Sequence, residues 1–236
     1  MDYGMIAKYF IKNAIPRCAA AAVLLAALSG CATHAHADDL EDFWIAVQND
    51  RPATVQKLLA RGAITVNTPT PATNPPLIEA IKFDSWAVYD LLLKDPHINL
   101  NQKNAVGETP LMYLAIKGET DRMRALIDRG AEVNQPGWTA LHYAATKGYD
   151  DAVRLLLDHY AYIDAEAPDK TTPLMMAMKY NHPSTVKLLL DEGADGYFRN
   201  AAGKNAADVA REAGNTILAN DFVERLNAER RRKLGR

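Results

Sequence analysis

A short phrase recurs five times along this chain at nearly the same interval. It reads Thr-Pro-Leu in its clearest copies, and the copies begin at Pro75, Thr109, Thr139, Thr172 and Asn205. The steps between them are 34, 30, 33 and 33 residues. A period of this length marks a supersecondary unit that cannot bury its own apolar face and must stack on copies of itself. The sequence therefore predicts a solenoid of stacked repeats.

Each unit is predicted to contain two helices joined by a tight turn. In the copy that starts at Thr109, the threonine supplies an N-cap oxygen and Pro110 suits the first helical position. An apolar run such as Leu155 to Leu157 forms the second helix, which ends at a glycine such as Gly130. The first helix is closed by a glycine or asparagine nine residues after the phrase begins, at Gly118, Gly148, Asn181 and Gly214.

The best single copy spans residues 138–145, with the sequence WTALHYAA, followed by Gly148, Val153 and the leucines 155–157. These residues resemble the ankyrin repeat, whose hallmark is T-P-L-H-x-A-A, then a glycine, then V-x-L-L-L-x-x-G-A-D-V-N. The resemblance covers residues 40–227, as about four internal units and two caps. It implies an all-α solenoid of helix-turn-helix units joined by β-hairpin loops.

Two kinds of departure from the ankyrin pattern are visible. Pro96 and Tyr160 stand where the family has its terminating glycine, and because a bulky residue rarely adopts positive φ, we expect those helix ends to deviate. The hairpin between Val133 and Trp138 is three residues short, so its tip is expected to project less than its neighbours.

The first 30 residues are predicted to be a signal peptide. Lys8, Lys12 and Arg17 precede an apolar run from Cys18 to Leu28, which is too short to cross a bilayer but fits a secretory h-region. Leu28-Ser29-Gly30-Cys31 resembles a bacterial lipobox, which implies acylation of Cys31, a linker over 31–39 and a periplasmic protein anchored to the outer membrane. Ala35-His36-Ala37 offers the competing cleavage that would release a soluble periplasmic protein.

Charge and cysteine content exclude several functions. Residues 1–31 hold three basic and one acidic side chain of the chain's 27 and 29, so the remainder has 24 minus 28, a net charge of −4. This balance argues against nucleic acid as the main partner. Both cysteines, Cys18 and Cys31, belong to the signal or the anchor, which leaves the repeats without a disulfide or a nucleophilic thiol.

No catalytic or metal-binding pattern is found. The histidines do not converge: His142 occupies the family's histidine position, where it ties the helix start to the neighbouring hairpin, and His34 and His36 make at most a two-ligand site. No phosphate loop, nucleophile elbow or EF-hand occurs. We expect a protein without enzymatic activity or cofactor.

The resemblance implies a binding surface, because partners of ankyrin proteins lie along a concave groove. The corresponding residues include one lysine in each of four successive units, together with aromatic side chains that are typical of interface hot spots. They are Lys82, Phe83, Lys117, Trp138, Lys147, Lys179 and Tyr180. On an otherwise acidic molecule the lysines form either a track for an acidic protein or an ordinary solvated face.

The basic tail over 228–236 also has two interpretations. Arg230, Arg231, Arg232 and Lys233 follow a helical stretch, and cations are favoured near a helix C-terminus. Contact with anionic lipid head groups is the alternative.

The sequence thus predicts a monomeric, non-enzymatic protein-binding module in a Gram-negative envelope. An immunity-type inhibitor of a secreted toxin and a stabiliser of an envelope enzyme are narrower alternatives.

Overall fold

The computed structural model describes residues 32–70 and 73–235, and the signal segment and Cys31 lie outside them. Within the described residues the chain forms twelve helices and no β-strand. They are α1 (Ala32–Gln48), α2 (Pro52–Ala60), α3 (Pro76–Lys82), α4 (Trp86–Leu93), α5 (Pro110–Lys117), α6 (Thr120–Asp128), α7 (Ala140–Lys147), α8 (Asp150–Asp158), α9 (Pro173–Lys179), α10 (Pro183–Asp191), α11 (Ala206–Glu212) and α12 (Thr216–Leu234). The repeats belong to one unit, Asp38–Arg236.

The helices pair into repeats that stack in chain order. The first helices, α3, α5, α7, α9 and α11, pack side by side, and the second helices α6, α8 and α10 do the same. The apolar core lies between the two layers. One leucine from each second helix of the internal units is fully buried there: Leu92, Leu126, Leu156 and Leu189. This arrangement confirms the predicted repeat solenoid.

The turn between the two helices of each repeat passes through a left-handed residue. The φ angle is 73° at Gly118, 71° at Gly148, 59° at Asn181 and 86° at Gly214, as the sequence pattern predicts. Asp50 and Asp84 adopt the same conformation in the first two units, with φ of 51° and 56°. Aspartate tolerates this conformation better than most residues, so the turn is kept without glycine.

The ends of the second helices correct one prediction and match another. Tyr160 has φ of 61°, in the same left-handed region as Gly130 and Gly193, so the expected deviation at Tyr160 is absent. At Pro96 the helix does deviate, because α4 ends at Leu93, one residue earlier in its repeat than α6, α8 and α10. Proline disfavours the helical conformation at the residue before it, Asp95, which stands directly after the last helical position of the other repeats.

The loops between repeats are hairpin turns without a β-ladder in the described residues. In a typical one, the Asn104 amide donates to the Glu108 carbonyl and the Gly107 amide donates back to the Asn104 carbonyl, each at 3.0 Å. In the short loop between Val133 and Trp138, a side chain closes the turn instead of the backbone. Gln135 Nε2 donates to the Trp138 carbonyl at 2.8 Å.

Both predicted non-repeat segments are partly helical. Residues 32–39 begin α1 where a linker was expected, and α12 continues through residues 228–234 where a tail was expected. Both stretches are rich in good helix formers, alanine in the first and arginine with lysine in the second, and neither contains proline. Among the residues that the structure describes, no helix is both long and apolar enough to cross a membrane.

Candidate partner-binding surface

Each of the four predicted groove lysines is the last residue of a first helix. Lys82 ends α3, Lys117 ends α5, Lys147 ends α7 and Lys179 ends α9. These helices pack side by side, so the lysines cluster at neighbouring helix ends in four consecutive repeats. Counted from the start of the phrase, Lys117 and Lys147 stand at the same position, and Lys82 and Lys179 stand one position earlier. We call this set the lysine groove.

The four ammonium groups differ in how much charge they leave free. Lys82 lies 3.4 Å from the carboxylate of Glu79, and Lys117 lies 2.6 Å from that of Asp84 in the preceding repeat. Lys179 stands 5.6 Å from the ring centre of Tyr180, within cation–π distance. Lys147 is exposed and has no ion-pair partner among residues 32–70 and 73–235. Lys147 and Lys179 are therefore the two groove lysines whose charge no carboxylate of the described residues neutralises.

The aromatic candidates divide into one exposed and two partly buried side chains. Phe83 is 49% exposed and available for contact. Trp138 and Tyr180 pack against the apolar core and are half-buried. The Trp138 ring meets the His142 ring edge to face, with centroids 5.2 Å apart. Trp138 therefore supports the repeat as well as presenting part of its surface.

His142 has the structural role that the sequence indicated. It is fully buried, and the Thr139 amide donates to its Nδ1 at 3.2 Å, while Nε2 lies 3.0 Å from the Thr171 carbonyl of the next hairpin. This pattern leaves Nδ1 as the acceptor and Nε2 as the donor, which is the neutral imidazole. Burial lowers the His142 pKa to about 4.

Sequence reasoning placed Glu108 at a hairpin base but missed the hydrogen-bond network around this partly buried acid. The Glu108 carboxylate accepts hydrogen bonds from Tyr113 Oη at 2.8 Å, from Tyr143 Oη at 2.6 Å and from the amide of Asn104 at 2.9 Å. Burial and the adjacent carboxylate raise the pKa of both tyrosines. Both stand fourth after the start of the phrase in consecutive repeats, which was the available signal.

Glu79 adds a second acid to this region. It is 4% exposed, and its Oε1 accepts from the Asn74 amide at 3.0 Å. Glu79 inside α3 and Glu108 at a hairpin base therefore place two carboxylates near the ammonium groups at the ends of the first helices.

Comparison with known proteins agrees with this architecture. The family model for ankyrin repeats in three copies matches residues 77–169, and the single ankyrin repeat model matches residues 169–201. No curated protein matches the sequence significantly.

A similar chain is found in a solved complex, among many similar solved chains. It is described as the predatory endopeptidase Bd0816 from Bdellovibrio bacteriovorus in complex with immunity protein Bd3460. The match has 26% sequence identity and a TM-score of 0.67, and covers 78% of this chain and 97% of the other. The stacked helix pairs and the two family matches show that the chain belongs to the ankyrin repeat family and that its repeats form a protein–protein interaction module.

Proposed function

We propose that this protein is a non-catalytic, immunity-type inhibitor that binds a hydrolytic enzyme of the bacterial envelope. One observation carries the proposal: the chain resembles, over nearly the full length of its counterpart, one chain of a complex between an endopeptidase and its immunity protein. Among the alternatives that the sequence left open, this match favours an inhibitor over a general scaffold.

The lysine groove is the proposed contact surface. Lys147 offers a cation without an ion-pair partner in the part of the chain that the structure describes, and Phe83 offers exposed aromatic area. Charged groups at the rim steer association, while aromatic anchors slow dissociation. An acidic region of the enzyme would meet Lys147 and the exposed part of Trp138 in the same repeat, and Phe83 would contact the enzyme two repeats away along the solenoid.

The proposed location is the periplasmic side of the outer membrane, by acylation of Cys31. The lipobox-like sequence Leu28 to Cys31 supports it, as does the basic and apolar segment that precedes it. An inhibitor held in that compartment would meet a hydrolase in the periplasm before the hydrolase acts on the cell's own envelope.

The direct test is capture followed by an activity assay. The full chain, produced in its native envelope with a small affinity tag, is recovered from detergent-solubilised membranes, and bound proteins are identified by mass spectrometry. We expect an envelope hydrolase whose activity falls to near zero at a one-to-one ratio with the purified chain. A captured enzyme that stays fully active and melts at higher temperature would instead support the stabiliser alternative, and recovery of no enzyme would contradict both.

A further inference from the structure

A second surface lies at the ends of the second helices. It carries acidic and aromatic side chains, whereas the lysine groove carries basic ones. Two tyrosines stand out there: Tyr160 is 86% exposed and Tyr162 is 69% exposed. Both follow α8, and residues 128–132 and 191–195 occupy the equivalent positions after α6 and α10. We call these three segments, 128–132, 158–164 and 191–195, the tyrosine edge.

The backbone conformation of Tyr160 is the first indication that its side chain does not serve the stability of the fold. Its φ is 61°, and the equivalent residues in the neighbouring repeats are Gly130 and Gly193, with φ of 97° and 98°. Glycine adopts this conformation without steric penalty, whereas a tyrosine is strained in it. Strained non-glycine residues concentrate at functional sites.

The flanking glycines also explain why the Tyr160 ring is bare. Gly130 and Gly193 hold the positions equivalent to Tyr160 in the two neighbouring repeats, and neither has a side chain that could cover the ring. The ring therefore projects from the edge and buries almost none of its area. Its apolar surface contributes little to the fold, so the stability of the repeat does not account for it.

The segment that carries the two tyrosines is held in place from the preceding repeat. Asn134 Nδ2 donates to the Tyr160 carbonyl at 2.8 Å, and Asn134 Oδ1 accepts from the Tyr162 amide at 2.8 Å. The clamp fixes the backbone on both sides of Ala161. Little backbone entropy would be lost when a partner binds these rings.

Electrostatics decide what kind of partner fits. The tyrosine edge holds seven carboxylates and one arginine: Asp128, Arg129, Glu132, Asp158, Asp164, Asp191, Glu192 and Asp195. Asp191 is neutralised by Lys187 and Arg225, each at 2.6 Å, but Glu132 and Asp195 are exposed and stand at the positions equivalent to Tyr162. Tyr162 thus has a carboxylate at the equivalent position of each neighbouring repeat, and Tyr160 lies two residues before it. Aromatic rings near carboxylates are suited to guanidinium groups, which stack on aromatic faces and pair with carboxylates.

We propose that the tyrosine edge is a docking surface for a basic protein segment, in which arginine side chains pack on Tyr160 and Tyr162 and pair with Glu132 and Asp195. This surface is separate from the lysine groove and of opposite charge. The inference rests on the proposed function and extends it, because it names the chemistry of a second region of the bound enzyme.

The chemistry is tested first with a defined probe, independently of any natural partner. The full chain, with ¹³C-labelled tyrosines, is titrated with the peptide acetyl-Gly-Arg-Gly-Arg-Gly-amide and, as a neutral control of the same shape, with its citrulline counterpart. Tyr160→Phe and Tyr162→Phe assign the two resonances. We expect saturable shifts of the Tyr160 and Tyr162 signals with the arginine peptide, at least tenfold weaker binding of the citrulline peptide, and loss of both effects at high salt. Equal shifts with both peptides, or none at these two residues, would overturn the proposal.

The captured enzyme supplies the second arm. Tyr160→Gly combined with Tyr162→Thr is expected to weaken its binding at least tenfold while the melting temperature stays unchanged or rises, because Tyr160→Gly removes strain. Ile217→Thr, at a residue that is 80% exposed on α12, is the matched control and should bind within twofold of wild type. If the double variant binds the enzyme within twofold of wild type, the docking surface is disproved and the proposed function stands. If no enzyme is captured, the proposed function is disproved, whatever the peptide titration shows.

Discussion

The Tyr143 hydroxyl donates a 2.6 Å hydrogen bond to the Glu108 carboxylate of the preceding repeat, and so ties two units together through a partly buried charge. The same carboxylate also accepts from Tyr113 and Asn104. Removal of any one donor leaves Glu108 with fewer partners in a site where water replaces them poorly.

Tyr143→Phe is therefore expected to lower the free energy of unfolding by about 1.5 to 3 kcal/mol, the usual range for a hydrogen bond to a charged group. Urea unfolding at pH 7, followed by circular dichroism, measures it. Tyr162→Phe, at an exposed hydroxyl, serves as the control and should change stability by less than about 0.5 kcal/mol. Equal losses in the two variants would show that the Glu108 network contributes nothing specific.

Leu156→Ala tests the core between the helix layers. The side chain is fully buried, so its truncation should cost about 2 to 5 kcal/mol. Lys147→Ala, at an exposed residue of the preceding helix, should cost less than about 0.5 kcal/mol. Thermal melts that ranked the two variants in the reverse order would mean that the assignment of the buried helix face is wrong.

His142 predicts how stability depends on pH. Its pKa falls to about 4 in the folded protein, below its ordinary value of 6.5, so the unfolded chain binds more protons between these values. Stability contributed by the neutral ring is complete above pH 6.5 and is lost as the pH falls toward 4. At about 1.4 kcal/mol per pH unit, the loss reaches roughly 3 kcal/mol over that window.

Urea unfolding of wild type and His142→Gln at pH 7, 6 and 5 isolates this contribution. The glutamine variant is less stable at pH 7, but its stability should fall less steeply with acidification. Parallel slopes in the two proteins would assign the acid sensitivity to other groups.

The lysine groove is tested by charge and by aromatic area separately. Lys147→Glu should slow association with the captured enzyme and reduce the dependence of the rate on salt, because it removes the free cation. Lys57→Glu, on the outer helix α2, is the control for a general change of charge. Surface plasmon resonance at two ionic strengths distinguishes them, and equal kinetics in both variants would move the site off the groove.

Trp138→Ala should act on dissociation instead. Its loss is expected to cost about 2 kcal/mol of binding if the indole is a hot spot, with the salt dependence unchanged. Because Trp138 also packs on the core, the variant's melt is recorded alongside, and the binding loss is interpreted at a temperature where it is fully folded. Unchanged dissociation would remove Trp138 from the interface.

The anchor is tested at Cys31. Metabolic labelling with an alkynyl fatty acid should mark the wild type and miss Cys31→Ser. A mature N-terminus at Asp38, found by N-terminal sequencing of an unlabelled protein, would establish the soluble alternative instead.

The sequence predicted the repeats well because their determinants are local: the Thr-Pro-Leu phrase, the glycine at each helix end and the leucine runs all act within one unit. It failed where two units interact. Asp84 neutralises Lys117 across a repeat boundary, and Glu108 collects hydroxyls from two repeats, neither of which a pattern inside one repeat reveals. The expectation at Tyr160 was wrong for another reason. Steric rules disfavour positive φ at a tyrosine, but hydrogen bonds from Asn134 hold the backbone on both sides of Ala161 in place.

The order in which the first helices pack has a consequence for how such a chain can change over evolutionary time. Since α3, α5, α7, α9 and α11 each lie chiefly against the next in line, the duplication or loss of one unit creates or removes a single interface and leaves the others as they were. Copy number then sets the length of the face that a partner meets, while substitutions at exposed turn residues set its chemistry. Gain or loss of repeats during evolution can therefore match the length of the binding face to a larger or smaller enzyme, while the core within each repeat stays unchanged.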